Sequence, residues 1–129
     1  MDKKRGIFLI TILADILICL GVFLIFEFTK HPLMHWLDDL LYDNYNHYLK
    51  CEDLPLIEDI EAVVALHQDS LAQIDQLNPG LVGWEVEDTC PGRGDILFWY
   101  ASHANRNTIE EIIGSENNFF GVPIRMRNQ

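Results

Sequence analysis

The sequence predicts an α+β protein: an N-terminal transmembrane helix and an amphipathic helix, followed by a small α-β-β-α-β domain with a three-stranded mixed sheet. Three observations carry that expectation. GIFLITILADILICLGVFLIFEF, residues 6–28, is an apolar run long enough to cross a bilayer core as a helix. Residues 29–77 place apolar side chains at helical spacing. Residues 81–127 then hold three strand-like segments, the last two separated by a helix with its own start and stop signals.

In chain order, residues 1–5 form a basic N-terminus, with Lys3, Lys4 and Arg5 ahead of the apolar run. The flank beyond the run is acidic, so the positive-inside tendency predicts a cytoplasmic N-terminus and an extracytoplasmic remainder, a single-pass protein of the cell membrane. The competing reading is a cleavable signal peptide, with Cys19 and Gly21 as the small residues before the cut. Asp15 would interrupt its apolar region and VFLIF would follow the cut, so an uncleaved signal-anchor is the better reading. Thr11, Asp15 and Cys19 lie four residues apart and share one helix face. A carboxylate within an apolar helix costs about 3 kcal/mol on insertion scales, so this stripe reads either as contact with a second membrane helix, from a partner or from a second copy of the chain, or as a protonated Asp15 bonding back to the Thr11 region of its own helix.

The stretch KKRG followed by IFLITIL resembles the processing signal of type IV pilins and pseudopilins. The resemblance implies a cut after Gly6 and a role as a minor subunit of a secretion or pilus assembly. It covers about a dozen residues by the extent of the leader pattern. Thr11 stands where that family usually has glutamate.

Residues 29–50 read as a juxtamembrane amphipathic helix, beginning near Pro32 and carrying Leu33, Trp36, Leu37, Leu40, Leu41, Tyr45 and Tyr48 on one stripe. His31 and His35, with Asp38 or Asp39, have the spacing of an incomplete metal site, and no further ligand follows. CEDLP breaks the pattern at residues 51–55, where the 51–129 domain begins. A helix from about Leu56 to Leu77 would bury Leu56, Ile60, Val63, Val64, Leu71 and Ile74, with His67 on its apolar side, until Asn78-Pro79-Gly80 stops it.

LVGWEVEDTC alternates Val82, Trp84 and Val86 against Gly83, Glu85 and Glu87, as a half-buried strand does. ILFWYA is apolar on both faces and belongs in the middle of the sheet. FFGVPIRMR alternates again, and Pro123 confines it to an edge. Asn107 and Glu110 stand in capping-box register and Gly114 ends the intervening helix. A right-handed crossover then puts residues 96–101 between an antiparallel 81–90 and a parallel 119–127. Both helices would cover the Trp84, Phe98 and Ile124 face. The opposite face presents Glu85, Glu87, Leu97, Trp99, Arg125 and Arg127, a candidate protein-interaction surface; the alternative reading is that the amphipathic helix folds back and covers it.

The run Pro91-Gly92-Arg93-Gly94-Asp95 contains an Arg-Gly-Asp tripeptide, but its glycines, proline and aspartate are what a hairpin connection needs, so it reads as a turn. Ser102 beside His103 reads as a helix N-cap, since a hydrolase would need a glycine-flanked nucleophile and a spaced acid. Cys51 and Cys90, an even pair in the expected exported part, predict a disulfide. No nucleophile-base pair, phosphate loop, cofactor motif or complete metal set can be assembled from spacing, which predicts a non-enzymatic protein without cofactors. The net charge of -11 argues against nucleic acid. The function expected is that of a single-pass membrane protein presenting a small acidic domain to another membrane or extracytoplasmic protein.

Overall fold

The structure, a computed structural model, describes the backbone of residues 3–114 and 117–129, and the side chains of these except 3–9 and 27–30. The chain divides between Trp36 and Leu37 into two compact units. In the first, α1 (Lys3–Lys30) is one continuous helix, and α2 (Pro32–Tyr42) begins after His31, whose φ of 50° breaks the run. Gly6 lies inside α1, helical on either side.

The transmembrane helix expected at residues 6–28 is not borne out: among the described residues no helix is long and apolar enough to cross a membrane. Asp15 lies within the apolar stretch of α1, and a carboxylate there is costly to place in a hydrocarbon core. The expected localisation, a single-pass cell-membrane protein with a cytoplasmic N-terminus and an extracytoplasmic C-terminal domain, is overturned by the same finding.

In the second unit, α3 (Ile57–Leu66) and α4 (Gln68–Leu77) precede β1 (Gly83–Cys90) and β2 (Arg93–Tyr100). They are followed by α5 (His103–Ile113), β3 (Asn118–Phe119) and β4 (Val122–Asn128). The sheet has four strands in the order β1-β2-β4-β3, not the three expected. The expected last strand is two: Phe120 and Gly121, with φ of 49° and 93°, turn the chain between β3 and β4 in a two-residue hairpin. Apolar alternation runs through this turn unbroken, so the pattern alone conceals it. β2 pairs antiparallel with β1 and parallel with β4, the arrangement that the crossover rule predicts.

The helix expected over Leu56–Leu77 breaks at His67, whose φ of -120° and ψ of 31° leave helical space, and whose N–H is shared between the Val63 and Val64 carbonyls. Ile60, Leu71, Ile74, Ile109 and Ile113, from the three helices, bury themselves against Ile96, Phe98, Tyr100, Ile124 and Met126 on one sheet face. α5 starts earlier than the capping-box spacing suggests: Ser102 is the N-cap, accepting from the Asn105 N–H at 3.2 Å. Gly114, at φ 86°, follows its last turn.

The amphipathic helix ends at Tyr42 instead of continuing to residue 50. Asp43 adopts φ 52°, and residues 43–50 leave as an extended strap. Tyr45 in this strap exchanges both backbone hydrogen bonds with Met126, at 2.9 and 2.8 Å, lying alongside the C-terminal part of β4. A short 3-10 turn at Cys51–Asp53 follows, and Cys51 is joined to Cys90 by the expected disulfide, with the two Cα atoms 5.7 Å apart.

Candidate functional site

Strand alternation sends the side chains of Asp95, Leu97 and Trp99 to the face opposite the helices, and the register sets their neighbours. Trp99 lies between Gly83 and Arg127, and Leu97 between Glu85 and Arg125. Gly83 is there because nothing larger fits: a Cβ on it would stand 2.4 Å from Cζ2 of Trp99. The indole therefore rests across the backbone of β1, half-buried, with exposed Glu85 and Arg127 near it in the register.

Farther along the same face, on the other side of Leu97, lies an ion network. The Asp95 carboxylate is fully buried and receives Arg125 Nε at 2.7 Å, Arg125 Nη2 at 2.8 Å and His47 Nε2 at 2.8 Å. Arg125 Nη2 also reaches the Glu87 carboxylate, and Thr89 Oγ1 at 3.3 Å. The Leu49 N–H donates to His47 Nδ1 at 2.9 Å, so the ring carries its proton on Nε2 and donates it to Asp95. Burial pushes the Asp95 carboxyl up, but the hydrogen bonds from His47 and Arg125 outweigh it and hold the group below the usual carboxylate range. The Asp95 hydrogen bonds in turn hold Arg125 above its ordinary value, against the effect of burial.

The strap that brings His47 here is anchored at both sides. Arg106, buried on α5, binds Asp43 at 2.9 Å, Asp39 at 2.6 Å and Glu110 at 2.8 Å. His103 Nδ1 lies 2.8 Å from the same Asp43 oxygen, the Tyr100 hydroxyl donates to the Asp43 carbonyl, and Asn44 Oδ1 accepts from the Asn128 N–H at 2.7 Å. Burial, with the Asp38 carboxylate as hydrogen-bond acceptor, pushes the Tyr48 phenol up to about 12. A cleft of about 170 Å³ opens between strap and sheet, lined by Asn44, Tyr45, Leu97, Arg125 and Arg127 among others.

The sequence-predicted surface is thus divided. Glu85, Trp99 and Arg127 remain available, whereas Leu97 is buried and Arg125 and Glu87 are spent on Asp95 and on each other. The strap, not a helix, partly covers this face. Asp95, His47 and the Arg106 cluster were not singled out by sequence reasoning. The Arg106–Glu110 spacing of four was the one visible signal; His47 and Asp95 are 48 residues apart. The Arg-Gly-Asp tripeptide is not displayed: Asp95 is buried, and Arg93 Nη1 donates to the Leu54 carbonyl. Pro91 and Gly92 form the turn.

In the first unit, Thr11, Asp15 and Cys19 stand exposed on one face of α1, and the Cys19 thiol is free. Among the described residues no group of three His, Cys, Asp or Glu side chains is placed to hold a metal ion. No protein-family model matches this chain, and no curated protein or solved structure does either.

Proposed function

We propose that residues 37–129 form a non-enzymatic protein-interaction domain whose partner docks on the sheet face at Trp99. The observation that carries this reading is the indole itself, held half-exposed across Gly83 on the sheet face that also carries the Asp95–Arg125–Glu87 network. Tryptophan and arginine are the side chains most enriched among interface residues that dominate binding energy. Exposed Glu85 and Arg127, of opposite sign near the ring, supply orientation more than affinity. The Thr11, Asp15 and Cys19 stripe on α1 is proposed to contact a second helix.

Two observations support leaving catalysis out. Both ring nitrogens of His47 are engaged, by Asp95 and by the Leu49 N–H, so no lone pair is free to take a proton. Ser102, next to His103, spends its hydroxyl on Asn105 in capping α5. The pilin-like alternative, a subunit processed after Gly6, rests on the leader residues alone.

Photocross-linking tests the docking surface. A benzophenone side chain at position 85 or 127 is expected to give one discrete adduct in cells of origin, lost when Trp99→Ala is added. No adduct beyond that seen from an exposed control position on α5, Glu111, removes the reading.

A further inference from the structure

The tip of the β3–β4 hairpin holds a residue that the turn does not want. Both loop positions need positive φ, and asparagine followed by glycine meets that need with least strain. Here the first position is Phe120, with φ 49°, and 46% of its surface is exposed. The core gains little from a ring so placed. That ring lies flat on His67, with centroids 3.5 Å apart and planes within 5°. Buried Phe119 meets both edge-on, at 5.0 and 5.9 Å, and forms the floor.

His67 is in position because the chain breaks between α3 and α4 at that residue. Leu66, just before it, is 80% exposed. The stacked rings of His67 and Phe120 therefore stand as an aromatic knob on the buried Phe119, and exposed Leu66 lies one residue before His67 in sequence. The helices that carry Leu66 and His67 are of one sign: every charged residue from Glu52 to Asp88 is acidic, and Glu61 and Asp69, to either side of Leu66 and His67 in sequence, are exposed.

We propose that Phe120, His67 and Leu66 form a docking surface for a basic, amphipathic segment of a partner protein. The knob supplies the apolar contact, and the acidic helices select cationic segments and repel acidic ones. A second copy of this chain is a poor occupant, because it would bring the same acidic helices together. α3 and α4 cover the face of the sheet opposite Trp99, so this surface is separate from the Trp99 surface and does not depend on it.

The full chain titrated with a synthetic helical peptide of leucines and lysines is expected to bind saturably, and the same peptide with glutamate for lysine is not. Phe120→Asn, which suits the turn, is expected to melt at or above the wild-type temperature yet bind the lysine peptide about tenfold more weakly, as loss of an interface anchor does. Leu66→Ser should weaken it in the same direction, and Trp99→Ala should leave it unchanged. Equal binding by Phe120→Asn would mean attraction by net charge alone and overturns the proposal. So does equal binding of the glutamate peptide, or a wild-type dimer that Phe120→Asn turns into monomer, which would make the occupant a second copy.

Discussion

The two faces of this sheet are built from the same strands, one residue out of step, and are held by different forces. On one, Ile96, Phe98, Tyr100 and Ile124 lie fully buried under three helices. On the other, Asp95, Leu97 and Trp99 lie beside Arg125 and Arg127, with a strap as partial cover. The first face is stabilised by apolar area removed from water, which needs no particular partner geometry. The second needs each charge to find its counterpart, because a buried charge without one is costly. Apolar burial therefore makes the fold, and the ion network ties the strap, β1, β2 and β4 together on the opposite face.

Three substitutions separate these roles, in descending order of effect. Phe98→Ala on the helix-covered face should cost about 3–5 kcal/mol in urea unfolding, from lost burial and the cavity left behind. On the other face, Arg125→Leu alone should cost about 3 kcal/mol, since it strands the Asp95 carboxylate. The double variant Asp95→Leu with Arg125→Leu should recover most of that loss. If it does not, the network contributes more to stability than the comparison allows.

The pH dependence sharpens the same contrast. The folded Asp95 carboxyl lies below its unfolded value, so its contribution is fully present above the ordinary carboxylate range and is lost as pH falls through the folded value. Wild type should lose stability in that acid window, and the double variant should lose less there. The smallest effect belongs to His47→Ala, which removes one of the hydrogen bonds to Asp95 and should cost about 1–2 kcal/mol. Its readout is local: the Tyr45 amide, bonded to Met126, should exchange faster while amides at Phe98 do not change.

Much of the second unit was legible in the sequence. The run Pro91–Asp95 marked the hairpin, although only Pro91 and Gly92 form its turn and β2 begins at Arg93; alternation marked Trp84 and Val86, and the crossover between β2 and β4 set their parallel pairing. The Cys51–Cys90 pair followed from the count of cysteines. The membrane span was not borne out, and the residues expected on the open face are divided by burial: Trp99 and Arg127 are displayed, whereas Leu97 is not. The reason is that alternation tells which side of a strand a residue takes and nothing about what lies over that side.

The sequence by itself determined periodicity and turns, because these depend on residues within a few positions of one another, and the order of pairing in β1, β2 and β4, because a strand-helix-strand crossover has one handedness. Only the tertiary structure decided that the α3–α4 run breaks at His67, that Phe120 and Gly121 divide the last strand, and that residues 43–50 leave the helix to lie along β4. Each of those outcomes rests on contacts between residues far apart in the chain: His67 with Phe119 and Phe120, Tyr45 with Met126, His47 with Asp95. A local pattern carries no record of such partners, and where they compete with helical or strand periodicity, the long-range contact prevails.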